Sequence, residues 1–111
     1  DLLNVGYSIA ADRQSVFSYS RNGPVLTLDP VATGGEGWLE FLDAYNRFCS
    51  ERGGRPLFNQ SRAITAEQAE RAFGGEIAHF LTHRQRLDPE QRFYSDFFRE
   101  LFEPDAARLK R

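Results

Sequence analysis

Methionine is absent from this chain of 111 residues, and cysteine and lysine each occur once. The single cysteine, Cys49, excludes a disulfide framework, and its place in the apolar stripe of a predicted helix favours a small buried hydrophobe. With one lysine, arginines mixed among acids and a net charge of -2, the chain lacks the basic face that binds nucleic acid. A translated protein starts with methionine, so we expect a processed product or a piece of a longer protein.

Long apolar runs are missing as well. No stretch approaches the roughly 18 to 20 residues of a membrane span, and no signal peptide is visible. The charged fraction of 27% is that of an ordinary soluble surface, and ten phenylalanines supply core material. The sequence therefore predicts a single domain over residues 1–111, in a reducing cytoplasm, with no membrane and no nucleic-acid partner.

The first third of the chain has the pattern of β-strands. Apolar and polar residues alternate in NVGYSIAA (4–11), and SVFSYS (15–20) is rich in β-branched and aromatic residues. The tight-turn dipeptide Asn22-Gly23 leads to a third short strand, VLTLD (25–29). These segments predict an antiparallel meander.

From Trp38 onward the apolar residues recur at helical intervals. The first helix is predicted to end at Gly53-Gly54, and a capping box of Thr65 and Gln68 begins the second, which Gly74-Gly75 interrupts. The resumed helix, which Asp88-Pro89 ends, has four residues predicted to face inward: Ile77, Phe80, Leu81 and Leu87. The predicted fold is α+β, with a small antiparallel sheet of about three to four strands followed by three to four helices packed on one side.

The last predicted helix, SDFFRELF (95–102), is apolar around much of its circumference. Each large apolar side chain left in water costs roughly 1.5 to 3 kcal/mol, and few other elements are available to cover this helix. We therefore expect a partner surface from outside the chain. It is either another part of a longer parent protein or a second copy of this chain, which makes a homodimer through the last helix.

Catalytic patterns are scarce. His79 and His83 have the spacing of a metal-binding pair on one helix face, but no Glu-x-x-His arrangement accompanies them, and ordinary surface histidines are the favoured interpretation. The glycine-rich GGEG (34–37) before a helix is a weak anion-binding pattern. No catalytic residue and no metal ligand is predicted.

An uncharged polar segment, Asn59 to Ser61, precedes Arg62 and the capped helix. One interpretation is that the Asn59 and Gln60 amides hold loop backbone in place, as amides in connections usually do. The other is that they project from an extended segment and hydrogen-bond a ligand. The pattern leaves both open.

The stretch from RPLFNQSRAIT through RLDPEQRF (86–93) to YSDFFRELF (94–102) resembles the C-terminal end of FAD-linked oxidases of the vanillyl-alcohol-oxidase superfamily, especially the aldonolactone, alditol and sterol oxidases. SIAAD (8–12) followed by SVFSYS resembles strands of that family's substrate, or cap, domain. The resemblance implies a polar motif, a capped helix, an amphipathic helix ending at Asp-Pro, and a final aromatic helix. It also implies FAD bound mainly by a separate N-terminal domain of the same parent chain.

The resemblance assigns the substrate wall to five residues: Tyr7, Tyr19, Asn59, Gln60 and Arg62. Sugar-type members have a Glu-x-Arg pair where this chain has Val5 and Tyr7, and their His-Trp-Gly-Lys motif falls either on residues 59–62 or on residues 57–60. These departures argue against a simple polyol or sugar lactone and suit a less polar alcohol.

Two functions are therefore expected from the sequence. The first is a C-terminal substrate-domain fragment of an FAD-dependent oxidoreductase, which oxidises a CH–OH group of an alcohol, sterol or sugar-like substrate and is inactive alone because hydride acceptance belongs to flavin. The alternative is a free-standing α+β binding or interaction module that dimerises through its last helix.

Overall fold

The structure, a computed structural model, describes residues 3–32, 34–61 and 63–105. The chain divides into two compact units, Asp1–Ala63 and Ile64–Arg111. Short antiparallel strands and one helix belong to the first unit, and two helices belong to the second. The α+β class predicted from the sequence is confirmed.

Two short ladders in the first unit share one register. The strands are β1 (Leu3–Val5), β2 (Ser8–Ile9), β3 (Val25–Leu26) and β4 (Asp29–Val31). β1 pairs with β4 and β2 with β3, both antiparallel, and the common register places Tyr7 opposite Thr27. There the Thr27 amide donates to the Tyr7 carbonyl at 2.9 Å, while the Tyr7 amide donates to the Thr27 hydroxyl oxygen at 3.2 Å. Because a hydroxyl replaces a main-chain acceptor at this point, one hairpin is divided into two ladders.

Residues 15–20 do not form the strand that SVFSYS predicts, so the meander prediction is wrong in its middle. The segment runs through consecutive turns in which the hydroxyls of Ser18 and Ser20 are buried, 3.4 Å apart. The Ser20 hydroxyl also accepts a hydrogen bond from the Asp12 amide at 3.1 Å. Serine hydroxyls hydrogen-bond to backbone groups that would otherwise pair with a neighbouring strand. In this segment these hydrogen bonds outweigh the strand propensity of the aromatic residues.

Helix α1 (Trp38–Glu51) begins after Gly37, whose φ of 79° lies in the left-handed region, and Gly53, with φ of 75°, follows its end as predicted. Its aromatic stripe is a stack in which Phe41 lies between Trp38 and Tyr45, with ring centroids 5.4 and 5.7 Å away. None of the α1 side chains is buried. The stripe is therefore only half covered.

Helix α2 (Ala66–Leu87) begins at the predicted capping box. The Thr65 hydroxyl accepts from the Gln68 amide at 3.2 Å, and the Gln68 side-chain oxygen accepts from the Thr65 amide at 3.1 Å. The predicted interruption is present one residue before Gly74-Gly75: the helix kinks at Phe73 (φ −141°, ψ 23°) and resumes through both glycines. Two adjacent weak helix formers permit this kink.

Helix α3 (Asp96–Phe102) packs on α2 within the second unit. The Phe80 ring of α2 has its centroid 6.2 Å from that of Phe98 and 5.8 Å from that of Phe102. Among residues 3–32, 34–61 and 63–105, the buried apolar side chains are all in this unit: Ala69, Phe73, Ile77, Tyr94, Leu101 and Phe102.

Two burial predictions need correction. Leu87, predicted to face inward, is 75% exposed at the end of α2. The last helix does not leave all of its apolar side chains uncovered, because Leu101 and Phe102 are buried, Phe98 is half-buried, and Phe97 alone among these is exposed. The neighbouring helix α2 covers part of this helix, and the partner surface expected from outside the chain stays a prediction.

Candidate functional site

The polar segment predicted to carry the site is a turn and not an extended strand. The Gln60 and Ser61 amides both donate to the Leu57 carbonyl, at 3.0 and 2.8 Å. These two main-chain bonds close the turn without using a side chain. The Asn59 and Gln60 side chains are exposed. Within residues 3–32, 34–61 and 63–105, the side-chain amide groups of these two residues make no hydrogen bond. One interpretation was that these side-chain amides hold loop backbone in place. No hydrogen bond in the described part of the chain supports it.

Tyr19 lies in the serine-rich turns of residues 15–20, half-buried between the buried Ser18 and Ser20. The same loop contacts the polar turn through its phenylalanine. The Phe17 and Phe58 rings meet edge to face, with centroids 5.3 Å apart and planes at 76°. The structure thus brings the segment of Tyr19 next to the segment of Asn59, a juxtaposition that the sequence pattern did not contain.

Tyr7 stands in the gap between the two ladders, where its backbone is held by Thr27 and its ring is exposed. Arg62, the fifth predicted site residue, lies outside the residues that the structure describes. Three of the predicted residues therefore present side chains that a ligand can reach: Tyr7, Asn59 and Gln60.

The Asp-Pro motif forms a tight connection between α2 and α3. The Asp88 carboxylate accepts from the Arg92 amide at 2.9 Å and from the Phe93 amide at 3.0 Å. Ser95 then caps α3 by accepting from the Phe98 amide at 3.4 Å. Aspartate is needed at this position because it caps two backbone donors at once, so the motif has a structural role.

Tyr94, the single tyrosine in the sequence of the second unit, is buried, and sequence reasoning did not single it out. Its hydroxyl donates to the Phe98 carbonyl at 3.3 Å, and the guanidinium carbons of Arg84 and Arg99 lie 4.5 and 5.2 Å from its ring centroid. Burial, followed by a hydrogen bond with Glu103, raises the pKa of Tyr94 far above its ordinary value. The phenol is therefore neutral at physiological pH.

Tyr45 on α1 is held in a comparable way. Its hydroxyl donates to the Leu28 carbonyl at 2.6 Å, which ties the helix to the hairpin arm. Burial, followed by a hydrogen bond with Cys49, raises the pKa of Tyr45 to about 12. It too remains protonated at neutral pH.

The hairpin exposes apolar side chains on both of its faces, which sequence reasoning missed. Directly opposite residues of an antiparallel pair share a face, so Leu3, Val5 and Tyr7 lie on one face and Leu26 and Leu28 on the other. A sequence signal was available, because apolar residues stand at both odd-numbered and even-numbered positions of VLTL (25–28). Such a pattern indicates a strand that is covered on both faces.

Residues 3–32, 34–61 and 63–105 contain neither a metal-binding cluster nor a membrane-spanning helix. No group of three or more histidine, cysteine or acidic side chains there is placed to hold a metal ion. Among the described helices, none combines the length and the apolarity that crossing a bilayer requires.

No family model, no curated protein and no solved structure matches this chain. A functional assignment must therefore start from the residues and their geometry.

Proposed function

We propose that the chain is the C-terminal part of the substrate domain of an FAD-dependent oxidoreductase, which oxidises a CH–OH group by hydride transfer to flavin. FAD, held mainly by another domain of the same parent chain, supplies the hydride acceptor. The residues of this chain bind and orient a small-molecule alcohol. The protein acts in the cytoplasm, in keeping with a single cysteine and no disulfide.

One observation carries the proposal: the order of the described elements is the order that the resemblance implies. A polar turn at residues 57–61 precedes the capped helix α2, which ends at Asp88-Pro89, and the aromatic helix α3 follows. The motif residues that define the resemblance hold these junctions. Thr65 caps α2, Asp88 closes the connection, and Ser95 caps α3.

The exposed amides support a substrate-facing role for the polar turn. A side-chain amide has two donors and an acceptor with two lone pairs, and those of Asn59 and Gln60 are not used by the described residues. Uncharged hydrogen-bonding groups beside aromatic rings such as Phe58 and Phe17 suit an alcohol of low polarity. An ionic substrate would call for a charged partner instead.

The exposed hairpin supports the view that the chain works against a larger neighbour. A two-stranded hairpin is at best marginally stable in water by itself, and this one leaves apolar side chains uncovered on both faces. Cover from the parent's sheet would remove these side chains from water.

The test uses the complete product of the gene. After purification we expect the visible absorption of bound flavin, and this absorption should bleach when an alcohol substrate is added without oxygen. Candidate substrates should span sterols, aliphatic alcohols and alditols. A complete protein that contains no flavin, and takes up none when incubated with FAD, would overturn the proposal.

The same preparation tests the polar turn. Asn59→Ala should lower kcat/KM about 5- to 150-fold, which corresponds to the roughly 1 to 3 kcal/mol of a buried ligand hydrogen bond. Asn22→Ala, which removes an exposed turn amide elsewhere, is the matched control and should leave the kinetics unchanged. A flavoprotein with equal kinetics for both variants would keep the reaction class and remove Asn59 from the site.

A second candidate is a free-standing binding or interaction module, which the exposed hairpin also favours. It differs from the first in needing no flavin. A reading frame that starts directly before Asp1, together with a flavin-free protein that self-associates, would favour this candidate.

A further inference from the structure

His79 and His83 form a pair on α2 that the proposed oxidoreductase site does not use. Both side chains are exposed, and their ring centroids lie 4.4 Å apart with ring planes at 49°. Residues four apart on a helix lie on one face, one turn above the other. We propose that this pair is a two-ligand site for a divalent transition-metal ion, namely Ni²⁺, Zn²⁺ or Cu²⁺.

The separation of the rings fits a shared ion. Imidazole nitrogens bind such metals at about 2.0 to 2.1 Å, so two nitrogens on one ion stand roughly 3 Å apart. Ring nitrogens lie at the perimeter of the ring, and centroids 4.4 Å apart can present them at that separation. Because both side chains are exposed, rotation about their own bonds suffices and the helix backbone need not change.

The ligand type selects the class of metal. Imidazole suits zinc, copper and nickel, whereas Mg²⁺ and Ca²⁺ prefer oxygen ligands. No third protein ligand is available among residues 3–32, 34–61 and 63–105, so water completes the coordination and the ion exchanges readily. This distinguishes the pair from a structural zinc site, which has four protein ligands.

The surroundings limit the affinity. The Arg86 guanidinium lies 3.5 Å from Nδ1 of His83. When the guanidinium donates to Nδ1, the ring proton is on Nε2, so a metal ion bound through either nitrogen of His83 must displace this contact. A positive charge this close opposes a cation. The site is therefore weaker than an isolated histidine pair of the same spacing.

Metal binding should stabilise the folded chain, because the chelate spans one turn that exists only in the helix. The experiment measures the thermal unfolding midpoint of the full chain with and without Ni²⁺, in a Cys49→Ser background that removes the competing thiol. We expect Ni²⁺ to raise the midpoint and Mg²⁺ at the same concentration to leave it unchanged.

Single variants identify the ligands. His79→Ala and His83→Ala should each abolish the Ni²⁺ shift, because one imidazole cannot chelate. Gln85→Ala, an exposed change on the same helix, should keep the full shift, and circular dichroism should show unchanged helix content in all three. A chain whose midpoint does not respond to Ni²⁺, or whose response survives His79→Ala, would overturn the proposal.

Discussion

Phe73 is the largest fully buried side chain of the chain as described, and it lies at the kink of α2. Its non-helical backbone coincides with complete removal of its ring from water. Burying a large aromatic ring contributes more to stability than the lost helix geometry at one residue costs.

Replacing this ring should be one of the costliest single changes in the protein. We expect Phe73→Ala to lower the free energy of unfolding by about 3 to 5 kcal/mol, the usual cost of removing a buried aromatic side chain, as measured by urea unfolding. The same substitution at Phe93, which is 91% exposed, should change it by less than about 0.5 kcal/mol. If Phe73→Ala does not fold, Phe73→Leu should show an intermediate loss, and equal effects at the two positions would contradict the burial pattern.

At the residue scale, sequence reasoning identified exposed polar side chains but did not identify the residues that contact their segment. Asn59 and Gln60 stand out in the sequence as uncharged amides between two helices, and the structure places them exposed in a turn. Phe58, which directly precedes them, contacts Phe17, a residue 41 positions earlier (58 − 17 = 41) in the chain. No local pattern contains such a contact, because it depends on how the loops fold back.

At the scale of elements, the helix ends are the best-specified features. Thr65 and Gln68 satisfy each other's backbone amides, and Ser95 and Asp88 supply the corresponding groups around α3. These interactions span only a few residues, so a sequence pattern suffices to predict them.

The capping box gives a matched test. Thr65→Ala removes an acceptor for a helix amide and should lower the free energy of unfolding by about 1 kcal/mol. Thr82→Ala removes a hydroxyl that donates back to the Ala78 carbonyl inside α2, and it should leave stability unchanged or raised because alanine favours helix. Urea midpoints of the two variants provide the comparison. A larger loss at Thr82 than at Thr65 would contradict the role of the box.

Elements without such local signals were predicted less well. The strand expected at residues 15–20 is a set of turns, because serine hydroxyls satisfy backbone groups there. The interruption expected at the double glycine of α2 is present as the kink at Phe73, one residue earlier. At residues 15–20, side-chain hydrogen bonds that a periodicity of apolar residues does not describe decided the outcome.

At the scale of the whole molecule, apolar burial is uneven. In the part of the chain that the structure describes, all of the buried apolar side chains belong to the unit Ile64–Arg111, whereas the hairpin of Asp1–Ala63 exposes several of its own. Exposed contiguous apolar surface favours association. The hairpin is therefore a better candidate for contact with another surface than the last helix, whose exposed apolar residue is Phe97.

A pair of variants compares the two surfaces. We expect Leu26→Ser, at a hairpin position that is 71% exposed, to lower light scattering at high protein concentration. Phe97→Ser, on α3, should lower it less, because most of that helix is already covered within its unit. Sedimentation equilibrium gives the masses of the associated species. A loss of association in Phe97→Ser alone would restore the dimer through the last helix that the sequence pattern predicts.

The sequence by itself determined the α+β class, the capped start of α2, the place of α3 and the ends of α1 and α2, because caps and periodicity act within a few residues. Tertiary structure decided which apolar faces are covered. It buried Leu101 and Phe102, left Leu87 and the hairpin exposed, and set the Phe17 loop against the Asn59 turn. Burial and loop contacts depend on segments that are distant along the chain, and only the folded backbone brings those segments together.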